Sequence, residues 1–234
     1  MKSKVHSFQE GLIAGLPLVI GYFPVAMAFG LLAKTVNISL LDSCLFSLLV
    51  FAGASQFMAL DLIKAGIAMG DIVLATLLLN LRHAMMSASL AVRLTDVKKR
   101  WLPLLAFGIT DESFAVAAVQ PGKLSVPFLL ALQGFSYMSW VAGTVAGYLL
   151  GSALPVSVKT ALGVGLYAMF TAILVPEIRK SANILWLALL AGMIYAANHF
   201  FTLLPSGWGL IAAIILASLA GLLLLPGKAR EEQP

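Results

Sequence analysis

Charge is what this sequence has least of. Asp, Glu, Lys and Arg make up 11% of its 234 residues, while 61% are hydrophobic. A soluble domain carries about 25% charged residues. So few charges cannot clothe a water-soluble globule, and the chain reads as an integral membrane protein. Cysteine is nearly absent as well: Cys44 stands alone in an apolar run. One cysteine makes no intrachain disulfide and fits the role of a small hydrophobe in packing. Also missing are the alternating segments of about ten residues that mark a transmembrane β-barrel. The apolar runs are instead roughly 20 residues long, enough for a helix to cross the hydrocarbon core. The class is all-α.

Catalytic signatures are missing too. The chain has no HExxH and no GxSxG, and its three histidines are His6, His83 and His199. Neither an enzyme nor a metal centre is expected from this, and no cofactor is implied. No ring of repeated acids marks a channel. The net charge of +5 comes from 15 basic and 10 acidic residues. The basic ones fall in loops and ends, which suits membrane-flanking positions better than nucleic-acid binding.

What is present is a run of apolar segments between two polar ends. We read a single membrane domain over 1–234: a polar tail at 1–10, a helix bundle over 11–225 and a charged tail at 226–234. The run behind the first tail is too long for a signal-peptide core, so the tail is expected to be retained. The candidate spans are 11–33, 40–60, 66–94, 101–119, 126–153, 158–175, 182–204 and 208–225. That makes eight, with seven as the alternative, in a multi-pass protein of the cell (inner) membrane.

At least one span is expected to be broken or re-entrant. Pro17 and Pro24 fall in the first, and each removes a backbone donor and kinks a helix. Such a break is tolerable only where the freed carbonyls meet protein or water. In the second span, Gly53, Ala54, Ser55 and Gln56 place small residues beside a polar amide. This is either close helix packing or an unwound point that exposes backbone and Gln56.

The third span carries Arg82, His83 and Asn80 in the run LLLNLRHAMMSASLAVRL. A charge at the centre of a membrane helix costs about 2.5–3.5 kcal/mol, so such residues face a partner or a watery cavity. Asn80, His83 and Ser87 share one helix face; Arg82, Met86 and Ser89 share another about 100° round. In the fourth span Thr110, Asp111, Glu112 and Ser113 form a polar block. Adjacent acids on a helix diverge, so one is free to neutralise Arg82 while the other carries a proton. The fifth span holds overlapping GxxxG patterns at Gly143, Gly147 and Gly151, read as close packing, against a second subunit among other choices.

Orientation stays open. With an inward N-terminus and eight simple crossings, eight basic residues fall inside and six outside, but the dense cluster at 93–100 lands outside. A re-entrant segment within 11–94 would bring it inside. A candidate internal repeat relates spans one to three with five to seven: at an offset of 117, Gly30 meets Gly147 and Arg82 meets His199. Transporters are often built from such repeats, with the site between them.

Four segments carry a family resemblance: LPLVIGYFPVAMAFG (16–30), FAGASQFMA (51–59), LNLRHAMMSASL (79–90) and FGITDESFA (107–115). Together, and in this order, they resemble the AzlC family, the large subunit of branched-chain amino-acid exporters. The resemblance implies efflux of valine, leucine and isoleucine, and in some members methionine. It also implies a small AzlD-type membrane partner. A zwitterion in a membrane needs both its charges matched. Arg82, or a broken-helix N-terminus near Gly53 and Ser55, is expected to meet the carboxylate. Asp111 or Glu112 is expected to meet the ammonium or exchange a proton, with His83 a further candidate for proton coupling. Gln56, Asn80 and Ser55 complete the hydrogen bonds, and Met85, Met86 and Phe57 would surround the apolar side chain. Against this stand a non-transporting membrane subunit and a carrier of another small zwitterion.

Overall fold

The computed structural model describes residues 6–94, 97–202, 204 and 208–224. Residues 1–5 of the polar N-terminal tail and the whole charged tail at 226–234 lie outside the described residues. Everything described is helix, turn or coil, apart from one isolated bridge between Leu94 and Leu124. Four helices among the described residues are long and apolar enough to cross a membrane: Phe8–Thr35, Met69–Ala91, Val126–Ala153 (with its terminal 3₁₀ turn) and Ala182–Phe201.

The chain forms two compact units. One comprises Met1–Asp61 with Leu79–Tyr167, the other Leu62–Leu78 with Ala168–Pro234. The first unit is organised around α1 (Phe8–Thr35) and α7 (Val126–Leu150). They lie along each other because their facing sides lack side chains. A Cβ at Gly30 would strike the backbone of Thr144, one at Gly147 the backbone of Met27, and one at Gly143 the carbonyl of Phe23. The GxxxG glycines of the fifth span therefore pack within this chain, on α1. That settles their partner as intramolecular.

α1 corrects a second expectation. It runs unbroken through Pro17 and Pro24, with a capping box of Ser7 and Glu10 at its start. Each proline removes only one helical hydrogen bond, to Ile13 O and to Ile20 O, and the close packing on α7, where Ser139 Oγ donates to Val19 O at 2.8 Å, holds the helix together. The outer side of α1 is bare and apolar; Ile13 is 67% and Ile20 73% exposed. Such a belt on a membrane helix is what lipid covers.

Two expected spans are interrupted instead. The second divides into α2 (Leu40–Leu49) and α3 (Gly53–Lys64), parted by residues 50–52. The fourth divides into α5 (Leu102–Phe107) and α6 (Asp111–Ala118), parted by residues 108–110. Between them α4 (Met69–Ala91) is one continuous helix. A cluster of Leu18, Leu90, Leu105, Ile109, Leu124, Phe128 and Leu132 packs α1, α4, α5 and α7 around the second break.

α8 (Val156–Lys180) extends past Pro176 and Glu177, where the sixth span was expected to stop. In the second unit α9 (Ala182–Phe201) pairs with α10 (Trp208–Leu224). Asn198 Oδ1 accepts from Leu204 N at 2.8 Å, and its side chain lies against Gly209. Asn198 thus closes this hairpin, and His199 stacks edge-on against Phe200.

Candidate functional site

The first break is sealed from within. Ending α2 in an apolar interior frees its last carbonyls, which need donors. Gln56, fully buried, adds a second donor to two carbonyls that already hold Val50 N and Ala52 N: its Nε2 donates to Phe46 O at 3.1 Å and Val50 O at 2.5 Å. Its Oε1 accepts from Trp140 Nε1 at 3.0 Å, and Tyr137 donates to Leu48 O at 2.9 Å. Gly53 opens α3 where the Trp140 ring leaves no space; a Cβ there would come within 2.5 Å of it. Gln56 is thus placed as the pin of the break, with its amide committed on both ends. Ser55, also buried, donates to Asn80 Oδ1 at 2.6 Å. Among the described residues no side chain caps the first-turn amides of Gly53, Ala54 and Ser55.

The second break has the opposite character. Thr110 caps α6, accepting from Ser113 N at 3.2 Å, while Ser113 Oγ accepts from Thr110 N at 2.8 Å. This reciprocal box satisfies two end donors. Asp111 and Glu112 follow in the first turn, where a helix end favours negative charge. The two acids diverge. Asp111 Oδ2 lies 3.0 Å from Arg82 Nη1, with the side chains 22% and 33% exposed. Glu112 Oε2 accepts from the Tyr22 hydroxyl at 2.6 Å. At the far end of α6, Arg93 forks onto the carbonyls of Ala117, Ala118, Gln120 and Gly122. Part of the basic cluster at 93–100 is therefore a helix cap.

α4 touches both half-helix starts. Asn80 meets Ser55 at the start of α3, and Arg82, two residues on, meets Asp111 at the start of α6. Tyr22 lies between the breaks: its ring is edge-on to Phe51 at 6.0 Å and to Trp140 at 5.4 Å. Phe51 and Phe107, flanking the two breaks, both meet the Tyr137 ring. Ser55, Asn80, Arg82, Asp111 and Glu112 are thus gathered within one unit. His83 is half-buried and makes no hydrogen bond among the described residues. Met85 is not brought in; at 73% exposed it points away from the core. Phe57 instead packs edge-on against Phe29 at 5.7 Å, while Met86 lies against the core around the second break.

Sequence reasoning missed Tyr22, Trp140 and Gln133. Tyr22 stands between Pro17 and Pro24, and its hydroxyl is an easily overlooked polar group in an apolar run. Gln133 donates to Leu105 O at 3.1 Å, at the end of α5. Beside it is a cavity of about 270 Å³, lined mainly by Leu90, Leu94, Leu105, Ile109 and Leu129 with Ala88. Ile109 also lies in the second break, two residues before Asp111.

The family model for "AzlC protein" matches residues 17–154, the stretch that holds both breaks. An "uncharacterized membrane protein" of Archaeoglobus fulgidus is 38% identical over 95% of each chain. "Inner membrane protein YgaZ" of Escherichia coli is 35% identical over 83% of this chain and 82% of its own. "Branched-chain amino acid transport protein AzlC" of Bacillus subtilis is 25% identical over 62% of this chain and 58% of its own. No solved structure gives a significant match.

Proposed function

The chain belongs to the AzlC protein family, and on that premise we propose that it exports branched-chain amino acids as the large subunit of a two-component transporter. The carrying observation is the pair of half-helix starts that α4 joins through Asn80 and Arg82. They differ in sign. α3 begins with uncapped amides, a site that favours an anion. α6 begins with Asp111, a site that favours a cation. An amino acid presents one of each. The substrate carboxylate takes the α3 amides and Arg82; its ammonium takes Asp111. Ser55 and Asn80 hold the α3 end in place. The aliphatic side chain enters the cavity beside Ile109. Ser87, which lines it, lies about 7.5 Å along α4 from Arg82, a separation a leucine-sized molecule bridges.

The small partner is of the AzlD type, and the protein sits in the inner membrane. It crosses eight times when α2 with α3, and α5 with α6, each count as one interrupted span. The halves of the candidate repeat meet through α1 and α7, the first helix of each, which run in the same direction. The relatives named for branched-chain amino-acid transport and for the inner membrane support this reading.

The test is valine efflux from cells loaded with a valine-containing dipeptide, with this chain expressed alone and beside the small partner. Efflux is expected to rise when both are present. Arg82→Ala is expected to lower it about ten-fold or more, the loss of one charge-assisted contact, at normal membrane levels of protein. Full efflux by Arg82→Ala would remove Arg82 from the site. No efflux of any branched-chain amino acid from cells holding both proteins would sink the exporter reading.

A further inference from the structure

Two carboxylates stand side by side at the start of α6, and the structure gives them different company. Asp111 is held by a cation, Arg82. Glu112 is held by a neutral phenol, Tyr22, whose oxygen is 2.6 Å from Glu112 Oε2 and 2.6 Å from Thr110 Oγ1. Donor counting fixes the direction of this chain. Ser113 N–H already points at Thr110 Oγ1, so the Thr110 hydroxyl proton is available for Tyr22. Tyr22 then has its own proton to give, and an ionised Glu112 receives it. The order is Thr110 to Tyr22 to Glu112, ending on a charge.

We propose that Glu112 is the proton-carrying carboxyl of this transporter and that Tyr22 is its positioning residue, tying the charge of Glu112 to the packing of α6 on α1. The proposal deepens the exporter reading and rests on it. The step is simple: a proton from water on one side adds to the Glu112 carboxylate, and the resulting carboxyl gives it to water on the other side. While Glu112 is ionised, its bond from Tyr22 is charge-assisted and short. Once it is protonated, it offers Tyr22 either a neutral carbonyl or a proton of its own. If it donates, Tyr22 must turn its proton on Thr110, whose oxygen already receives Ser113 N–H. Either outcome weakens the link between α1 and α6. Tyr22 is 3% exposed and packed edge-on against Phe51 and Trp140. Loosening its hydroxyl therefore reaches the first break as well as the second.

The groups facing Glu112 favour this division of labour. On its own helix the neighbour is Asp111, already neutralised by Arg82. From α4 come Arg82 and His83, and from α1 comes Tyr22. α5 and α7 carry no charged residue.

The experiment uses the full chain with its small partner in liposomes, and the purified complex for infrared spectroscopy. Leucine exchange and pH-gradient-driven leucine efflux are compared. Tyr22→Phe keeps the ring and removes the hydroxyl; it is expected to lower gradient-driven efflux about ten-fold more than it lowers exchange. Glu112→Gln abolishes the gradient-driven part, and adding Tyr22→Phe to it costs nothing further, because the two act as one unit. In the infrared, wild type shows a carboxyl band that titrates; it moves in Tyr22→Phe and vanishes in Glu112→Gln but not in Asp111→Asn. Gradient-driven efflux that survives Glu112→Gln, or a titrating band that Tyr22→Phe leaves in place, overturns the proposal. If wild type carries no amino acid while the band behaves as described, the exporter reading fails and the proton link stands.

Discussion

The two helix breaks solve the same problem with different chemistry. At residues 50–52 the carbonyls are bridged by a buried neutral amide, Gln56, held by an indole, Trp140. At residues 108–110 the ends are closed by a threonine–serine box, and the next two residues are acids reaching to Arg82 and Tyr22. The first break is held by neutral hydrogen bonds; the second carries charge that has a partner but also partial exposure. A membrane helix need not be interrupted at all. Two interruptions, meeting on one continuous helix, put an amide-lined end opposite an acidic one. The lesson is that breaks of equal length divide into one that anchors and one that responds.

The largest expected effect tests the anchor. Gln56→Leu leaves Trp140 Nε1 without an acceptor and takes a donor from Phe46 O and Val50 O. Both carbonyls keep a backbone donor, Val50 N and Ala52 N, so the main cost is the unpaired Trp140 N–H, about 1–3 kcal/mol. A cost toward the upper end of that range is expected, read as a marked fall in the melting temperature of the purified protein. Asp111→Asn at the other break should fall far less. If Gln56→Leu melts normally and only transport fails, Gln56 faces substrate and the division between the breaks is wrong.

A smaller effect probes how closely each break is fitted to α7. A Cβ at Gly53 would come within 2.5 Å of the Trp140 ring, and one at Gly108 within 2.6 Å of Gln133 Oε1. Overpacking of this kind costs about 1–3 kcal/mol. Gly53→Ala should sit toward the upper end, since an indole pinned by Gln56 cannot retreat. Gly108→Ala should sit lower, since the Gln133 side chain borders a cavity into which it can shift. Thermal melts of the two variants check the order; equal costs would mean that both breaks are equally rigid.

Much of this was legible in the residues. The dearth of charge gave the membrane class, and Arg82 in an apolar run demanded a partner that the TDES block could supply. The break at Gly53 was readable from small residues beside an amide. The break at 108–110 was hidden, because a cap box inside a span reads as ordinary polar residues until a helix is seen to start there. Pro17 and Pro24 misled for the converse reason. A proline costs one hydrogen bond in a helix, and a close neighbour such as α7 can hold the helix together across it. Gly143 and Gly147 signalled close packing correctly, but no periodicity says which helix is the partner. Gln56 shows the limit most clearly: a polar amide in a membrane looks like a ligand group, yet backbone carbonyls at a break accept its protons just as well.

The smallest effect sharpens the comparison at the caps themselves. Thr110→Val keeps the shape of the side chain and removes its oxygen. α6 loses the acceptor for Ser113 N, and Tyr22 loses one of its two partners. A lost cap costs about 1 kcal/mol, and a melt should show it. Thr110→Ser retains the oxygen and should cost only a few tenths by the same measure. The mirror experiment is Ala52→Ser, which gives the start of α3 the cap it lacks. A serine there would claim an amide that, on the exporter reading, belongs to the substrate carboxylate. Ala52→Ser should therefore raise stability slightly while raising the KM for valine. A gain in stability with an unchanged KM would leave the α3 amides as structure alone and return the carboxylate to Arg82.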